Sequence, residues 1–470
     1  MQGKKDYQEK LFAHFQLSDR IPKTNFYRRL KEVLDLGFLY PLTKGYYGEN
    51  GQKSIDTVVF FKLCLTGYLG NIISDRKLID HCSIRLDILY FIGYDIDEEL
   101  PRHSTLSRIR QLYPESVFEE VFTKVLSLCI EKGMVSGHTQ SIDSAPLKAN
   151  ASMDTLELKV PEDELEEHLG KVRAISTMDK EVPHRKSKGD KSDKGQRIVT
   201  ANDKELSAIK GRNKKWAKDQ DQRPGAGNKG AKYTSNKTHY SPTDPDARIS
   251  VNPGKARKLN YHCSMAVDTA EGVISNIQAD FADGRDSQYL KDISQKVQDR
   301  LRKNELIMTD ILADAGYSNG SNYDFIEQSK VTGWIPVFGK YKPKIDGFPY
   351  NKEKDEYSCL MNRPLPFKGF RTNRDGSVLK CYWAVPRDCK ACPMKSQCVP
   401  NTKCKKITRT IYDEQYLKVY ARQHSKWGKR RKNLRQSTVE SVFGSLTQFY
   451  GLRKIGVLGK AGAHKVMLMA

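Results

Sequence analysis

Three acidic residues stand where a divalent-cation site can be built: Asp143 at the end of TQSIDS, Asp314 at the end of ELIMTDILAD, and Glu440 in QSTVESVF. Carboxylate oxygens hold hard cations such as Mg²⁺, and in phosphoryl transfer such ions activate a nucleophile and stabilise a leaving oxygen. Each residue has a plainer reading. An Asp at a strand end can shape a turn, and Ser437-Thr-Val-Glu440 fits a capping box, with Glu at the third helical position reaching back to the N-cap. For Glu440 the pattern offers a counter-argument. Val439, Val442, Phe443, Leu446 and Tyr450 form an apolar stripe with Glu440 one residue off its edge, so its side chain can look along a sheet surface.

A second constellation is sulfur. Cys389-Lys-Ala-Cys392 is followed by Cys398, with Cys359, Cys381 and Cys404 nearby, a knuckle-like spacing suited to tetrahedral zinc. The competing reading is a set of reduced thiols in a degenerate insertion. Cys64, Cys82, Cys129 and Cys263 sit singly in apolar segments and read as small buried hydrophobes. Neither GxxxxGK[ST] nor HExxH occurs, so ATP hydrolysis and zinc proteolysis lack their signatures.

The charge names a class of partner. The 470 residues hold 80 Lys+Arg against 57 Asp+Glu, a net +23. Residues 171–240 carry 19 basic and 8 acidic side chains and residues 401–470 carry 16 and 3, which leaves the rest of the chain near neutral. Concentrated positive segments suit a polyanion whose counterions are released on binding, and nucleic acid is the favoured one. With 38% hydrophobic residues and no apolar run of spanning length, no membrane partner is expected. The N-terminus MQGKKDYQEK lacks a signal peptide's apolar core, so export is not indicated and a cytoplasmic location is expected.

These residues must be positioned by elements of two kinds. Residues 1–135 read as a helical domain, with apolar stripes at 54–69 and 118–126. Between them LPRHSTLSRIRQL reads as a basic helix capped by Ser104; Arg102, Arg108 and Arg110 would face DNA if it is a reading helix, and solvent if it belongs to an ordinary bundle. A short strand at 139–144, closed by Pro146, then opens a mixed α/β region at 136–150 and 251–340 with a hairpin, a helix near 287–301 and two further strands, the second at 333–338. Residues 151–250 read as a charged flexible insertion, 341–410 as a Cys-rich one, and 411–470 as basic helices completing the core. The chain runs into AGAHKVMLMA in helical register without a stop signal, so a frayed last turn with a partly covered apolar face is expected.

At this point the blocks resemble a known family. IDTVVFFKLCLTGYLGNIISDRKLIDHC through LPRHSTLSRIR resembles an InsH-type N-terminal transposase domain, and SIDSAPLKANAS, ILADAGYSNGSNYDFIEQ and RRKNLRQSTVESVFGSLTQFYGLRKIGVLG resemble, in order, the three acidic blocks of bacterial insertion-sequence DDE transposases. The resemblance covers nearly the whole length. It implies an α+β chain, a helical N-terminal domain followed by a ribonuclease-H-like α/β catalytic domain with two insertions. It further implies Asp143, Asp314 and Glu440 as a Mg²⁺ (or Mn²⁺) triad that cuts element ends and transfers the 3′-hydroxyl to target DNA. Double-stranded DNA is then the partner, a homodimer forms on the ends, and Arg435, Arg453 and Lys454 contact phosphate, alongside Arg430 and Arg431 of the basic segment. Family members often carry Cys after an aromatic where EYSCL stands, so Cys359 joins Cys389, Cys392 and Cys398 as expected ligands of one structural Zn²⁺. One position departs: the family's Lys seven residues after the Glu is Thr447, which supplies no charge. Together with the abrupt C-terminus it supports the rival expectation of a catalytically inactive, domesticated or decayed transposase that binds DNA.

Overall fold

The computed structural model describes residues 15–48, 50, 54–158, 236, 239–250, 257–339, 341–373 and 377–470. Most of the insertion expected at 151–250, including nearly all of its basic stretch, lies outside the described residues.

The architecture is mixed α+β. Its main sheet contains β1 (Thr139–Lys148), β2 (Arg248–Ser250), β3 (Lys258–Asp268), β4 (Ile274–Phe281), β5 (Asp310–Leu312) and β6 (Thr332–Trp334). The order is β2-β3-β1-β5-β6, with β4 also paired to β3. β3 runs antiparallel to β1 from Gln140↔Asp268 to Lys148↔Asn260, whereas β5 is parallel to β1 and β6 parallel to β5. The hairpin read from the sequence is β3–β4, and the helix expected after it is Asp286–Lys303.

Two details of the strands differ from expectation. β1 does not close at Pro146 but continues through it. β5 flanks β1 only as far as Ser141, and Ala149 donates its N–H to Leu259 of β3, so by alternation the Pro146 nitrogen points away from β3 toward the side without a strand. The strand expected at 333–338 is the short Thr332–Trp334.

Side-chain alternation sends the two faces of the sheet into different cores. Ile142 and Ala266 pack on Leu290, Ile293 and Val297 of Asp286–Lys303. The opposite face, which carries Met265, Val267 and Ile277, shares one apolar cluster with Val439 and Phe443, with the last helix, and with Phe60, Phe61 and Phe118 of the N-terminal helices. Asp143, one residue beyond Ile142, therefore looks toward the C-terminal helices.

The N-terminal helices follow local rules with one exception. Asp56 caps Thr57–Leu69 by accepting from Val58 and Val59 N–H at 2.7 and 3.1 Å, and that helix is buried on several sides because it lies at the centre of the cluster. Ser104 is not the cap of the basic helix: the helix is His103–Leu112, with Arg102 at the N-cap position. The last helix, Lys460–Met469, corrects the expectation of a half-covered face. Ala463, Val466, Met467 and Leu468 are all buried, against β4 and the helix Glu115–Glu131.

The Cys-rich region holds an antiparallel five-stranded sheet that sequence reading did not foresee, running Tyr350–Asn351, Glu356–Ser358, Pro364–Thr372, Val378–Trp383 and Lys406–Thr410. Tyr357, Leu365, Tyr382 and Ile407 form its small core. Among the described residues no helix is long and apolar enough to cross a membrane.

Candidate active site

Asp143 lies at the middle of β1, beyond the last residue paired with β5, so its carboxylate emerges where the sheet opens. Glu440 comes from the other end of the chain. The helix Lys426–Arg435 passes without a break through a π-helical turn, Gln436–Glu440, into Ser441–Phe449. There is accordingly no capping box. Ser437 is inside the helix and its hydroxyl donates to the Leu434 carbonyl at 3.1 Å. The i→i+5 spacing of a π turn sets residues five apart on one face, and π turns often occur at functional sites. Here those residues are Arg435 and Glu440.

Arg435 joins the parts. It is a buried guanidinium that donates one N–H to Asp143 Oδ2 at 2.9 Å and another to Glu440 Oε1 at 2.8 Å. Asp143 and Arg435 are separated by 292 residues in sequence. Asp143 Oδ1 also accepts the Ser144 N–H at 2.8 Å. Burial pushes the Asp143 carboxyl up to about 6; the Ser144 N–H and Arg435 oppose the rise, and Asp314 adds to it. Asp314 follows β5 and caps the turn Ala315–Tyr317, accepting the Gly316 N–H at 2.7 Å. Its carboxyl is likewise raised by burial, with Asp286 adding and the Gly316 N–H and Arg435 opposing. Glu440 is half exposed.

Sequence reading missed several neighbours. Asp286 opens the helix Asp286–Lys303 and lies beside Asp314; the buried His262 of β3 is 3.3 Å from it. Tyr317 is wholly buried and feels Asp143, Asp286 and Asp314. In the string DGRDSQYL nothing marks Asp286 beyond an acidic residue at a helix start, and only the pairing of β3 with β1 brings His262 near. Thr447 is two turns beyond Glu440, and its hydroxyl is spent on its own helix, donating to the Phe443 and Gly444 carbonyls.

The expected DNA-facing cations divide by exposure. Arg102, Arg108, Arg430, Arg453 and Lys454 are exposed. Arg110 is instead committed to both carboxylate oxygens of Asp75, at 3.0 Å each. Arg431 is half-buried over the Trp334 ring with Asp310 within 3.9 Å.

Cys359, Cys389, Cys392 and Cys398 line one cavity beside the second sheet, and Cys381 and Cys404 are buried away from its walls. All ten cysteines are free thiols, with Cys64, Cys82 and Cys263 buried. Among the described residues no three His, Cys, Asp or Glu side chains are close enough to hold one metal ion as they stand.

Against this geometry stand two family matches. Residues 15–112 match a transposase domain (DUF772), and residues 358–470 match a transposase DDE domain, a stretch that contains Glu440 and the last three strands of the Cys-rich sheet. Both matches are to transposase domains, and together they support an insertion-sequence DDE transposase. No curated protein matches it.

Proposed function

We propose that this transposase cuts the ends of an insertion sequence and transfers the freed 3′-hydroxyl to target DNA, with Asp143, Asp314 and Glu440 as its acidic centre. The observation that carries the proposal is the Arg435 bridge, which draws Asp143 and Glu440 to one guanidinium with Asp314 in electrostatic reach. A sheet in which β1 is antiparallel to one neighbour and parallel to the other, with acidic residues on β1 and just after β5, supports a ribonuclease-H-like core. An InsH-type helical domain at 1–135 and a catalytic core divided by insertions at 151–250 and 341–410 complete this reading.

The donor set fits Mg²⁺ or Mn²⁺: hard carboxylate oxygens, two of them held out of full solvation, with one guanidinium already supplying positive charge between Asp143 and Glu440. When bound, such ions supply Lewis acidity toward the phosphate and an activated water or hydroxyl. The chain's own residues do the rest. Arg435 orients Asp143 and Glu440, and the turn Ala315–Tyr317 fixes Asp314. Arg430, Arg453 and Lys454, joined by Arg102 and Arg108 of the basic helix, hold phosphate by charge. The four cysteines sharing one cavity suit a structural zinc. The protein would work as a homodimer on double-stranded DNA ends, in the cytoplasm at the nucleoid.

A rival reading, a catalytically inactive DNA-binding descendant, is favoured by Thr447, whose hydroxyl donates inward. The two part in one experiment: incubation of the protein with duplexes carrying its flanking genomic ends and Mg²⁺, mapped to the nucleotide. Discrete cuts at the element boundary, and joining to a target duplex, are expected. Binding without any cut would establish the inactive descendant.

A further inference from the structure

Asp286 has no place in the triad, yet it is built against it. A β-carbon placed on Gly316 would sit 2.6 Å from Asp286 Oδ2 and 2.9 Å from Asp314 Oδ1. The two carboxylates therefore face each other across the bare α-carbon of Gly316, and any side chain there would drive them apart. Like charges so close repel unless a cation lies nearby. Among the described residues Asp286 makes no Arg or Lys ion pair; its charged-range neighbour is His262, whose buried Nε2 closes no hydrogen bond of ordinary geometry.

A second observation is independent of the acids. The hydroxyl of Tyr317, a residue with no exposed surface, meets only the buried Ser144 hydroxyl beside it, and neither of the two closes a hydrogen bond of ordinary geometry. Asp143, Asp286 and Asp314 are the acids that hydroxyl feels. Buried hydroxyls are normally satisfied, and a pair that meets only each other, poorly, beside three carboxylates marks a position for a polar occupant.

We propose that Asp286 is a fourth carboxylate of the centre, holding a divalent cation jointly with Asp314 across Gly316, with His262 positioning it from behind. The inference rests on the reading of Asp143, Asp314 and Glu440 as a divalent-cation site. It assigns Gly316 a purpose: to let two carboxylates share one ion. A His behind a ligating carboxylate fixes its orientation, a role whose loss elsewhere costs 10- to 100-fold in metal affinity.

Binding of Mn²⁺ alone to the full chain, followed by electron paramagnetic resonance and calorimetry, tests the idea without any cleavage assay. Asp286→Asn should weaken at least one Mn²⁺ site tenfold or more. Gly316→Ala should do the same although it removes no ligand, and His262→Gln should weaken it less. Asp143→Asn separates the two claims. If Asp143→Asn lowers Mn²⁺ affinity while Asp286→Asn and Gly316→Ala bind as the parent does, the fourth carboxylate is wrong and the triad stands. If Asp143→Asn also binds as the parent does, or the parent binds no Mn²⁺, both readings fall. Unchanged near-ultraviolet dichroism and melting of each variant establish that a loss of binding is not a loss of fold.

Discussion

At the scale of single residues, burial decides how readily the central carboxyls ionise. Asp143 is raised to about 6 by burial even with Arg435 bonded to it. The native state therefore binds its proton more tightly than the unfolded chain, and this carboxyl's contribution to stability is fully present below about pH 4 and is lost as pH rises through about 6. Asp143→Asn should show the converse. Without added metal, its stability relative to the parent should improve by about 2 kcal/mol from pH 4 to pH 7, at roughly 1.4 kcal/mol per unit of pKa and with the unfolded carboxyl already about half ionised at pH 4. Urea melts at the two pH values measure this, and a gap that does not move with pH would contradict it. Asp143 and Asp314 were legible in sequence because each stands in a block that reads as a strand and resembles an acidic block of the transposases. Asp286, His262 and Tyr317 were not, since their meaning comes from the pairing of β1 with β3 and from the packing of the turn after β5 against Asp286–Lys303.

At the scale of elements, the decisive one is the π turn Gln436–Glu440. Ser-Thr-Val-Glu carries the letters of a capping box, and no local rule separates that from a helix widened by one residue; tertiary packing decides it. Val439 and Phe443 are buried on the sheet while Arg435 reaches Asp143, and the wider turn lets one helix meet both demands. Deleting Gln436 should close the turn into an ordinary α turn, leaving Arg435 and Glu440 at i,i+4 on one face. The shortened chain is expected to melt cooperatively at an unchanged or higher Tm with its helical dichroism intact; loss of a cooperative melt would show that the turn is not a one-residue insertion. The five-stranded sheet at 350–410 is the element least visible beforehand. Its short strands are broken by Gly, Pro and Cys and bury only a small core, which is why a metal crosslink is argued for it. About one zinc per chain is expected by elemental analysis, with chelation lowering the Tm of this region. A metal-free preparation with this sheet still folded would rule out the zinc.

For the whole molecule, charge was legible as a total but not as a surface. Helical and strand periodicity gave the mixed α+β class and the order of elements, yet Arg110, alike in sequence to Arg108, turns inward to Asp75. Neutralising the exposed Arg430, Arg453 and Lys454 should lower the slope of log affinity against log salt by about one unit each, whereas Arg110→Gln should cost stability and leave that slope alone. Titrations of a short duplex at several salt concentrations decide between them, and an unchanged slope for the first set would place this basic surface off the DNA path. The N-terminal helices, the sheet and the last helix share one apolar cluster.

The central claim is that three carboxylates distant in sequence form one cutting centre. Its most direct measurement is single-turnover cleavage of an element-end duplex by the parent, Asp143→Asn, Asp314→Asn and Glu440→Gln, with DNA binding recorded in the same reactions. The account predicts that each replacement abolishes cutting while affinity for the duplex stays within a few-fold of the parent. Parent-like cutting by any one of the three would contradict it.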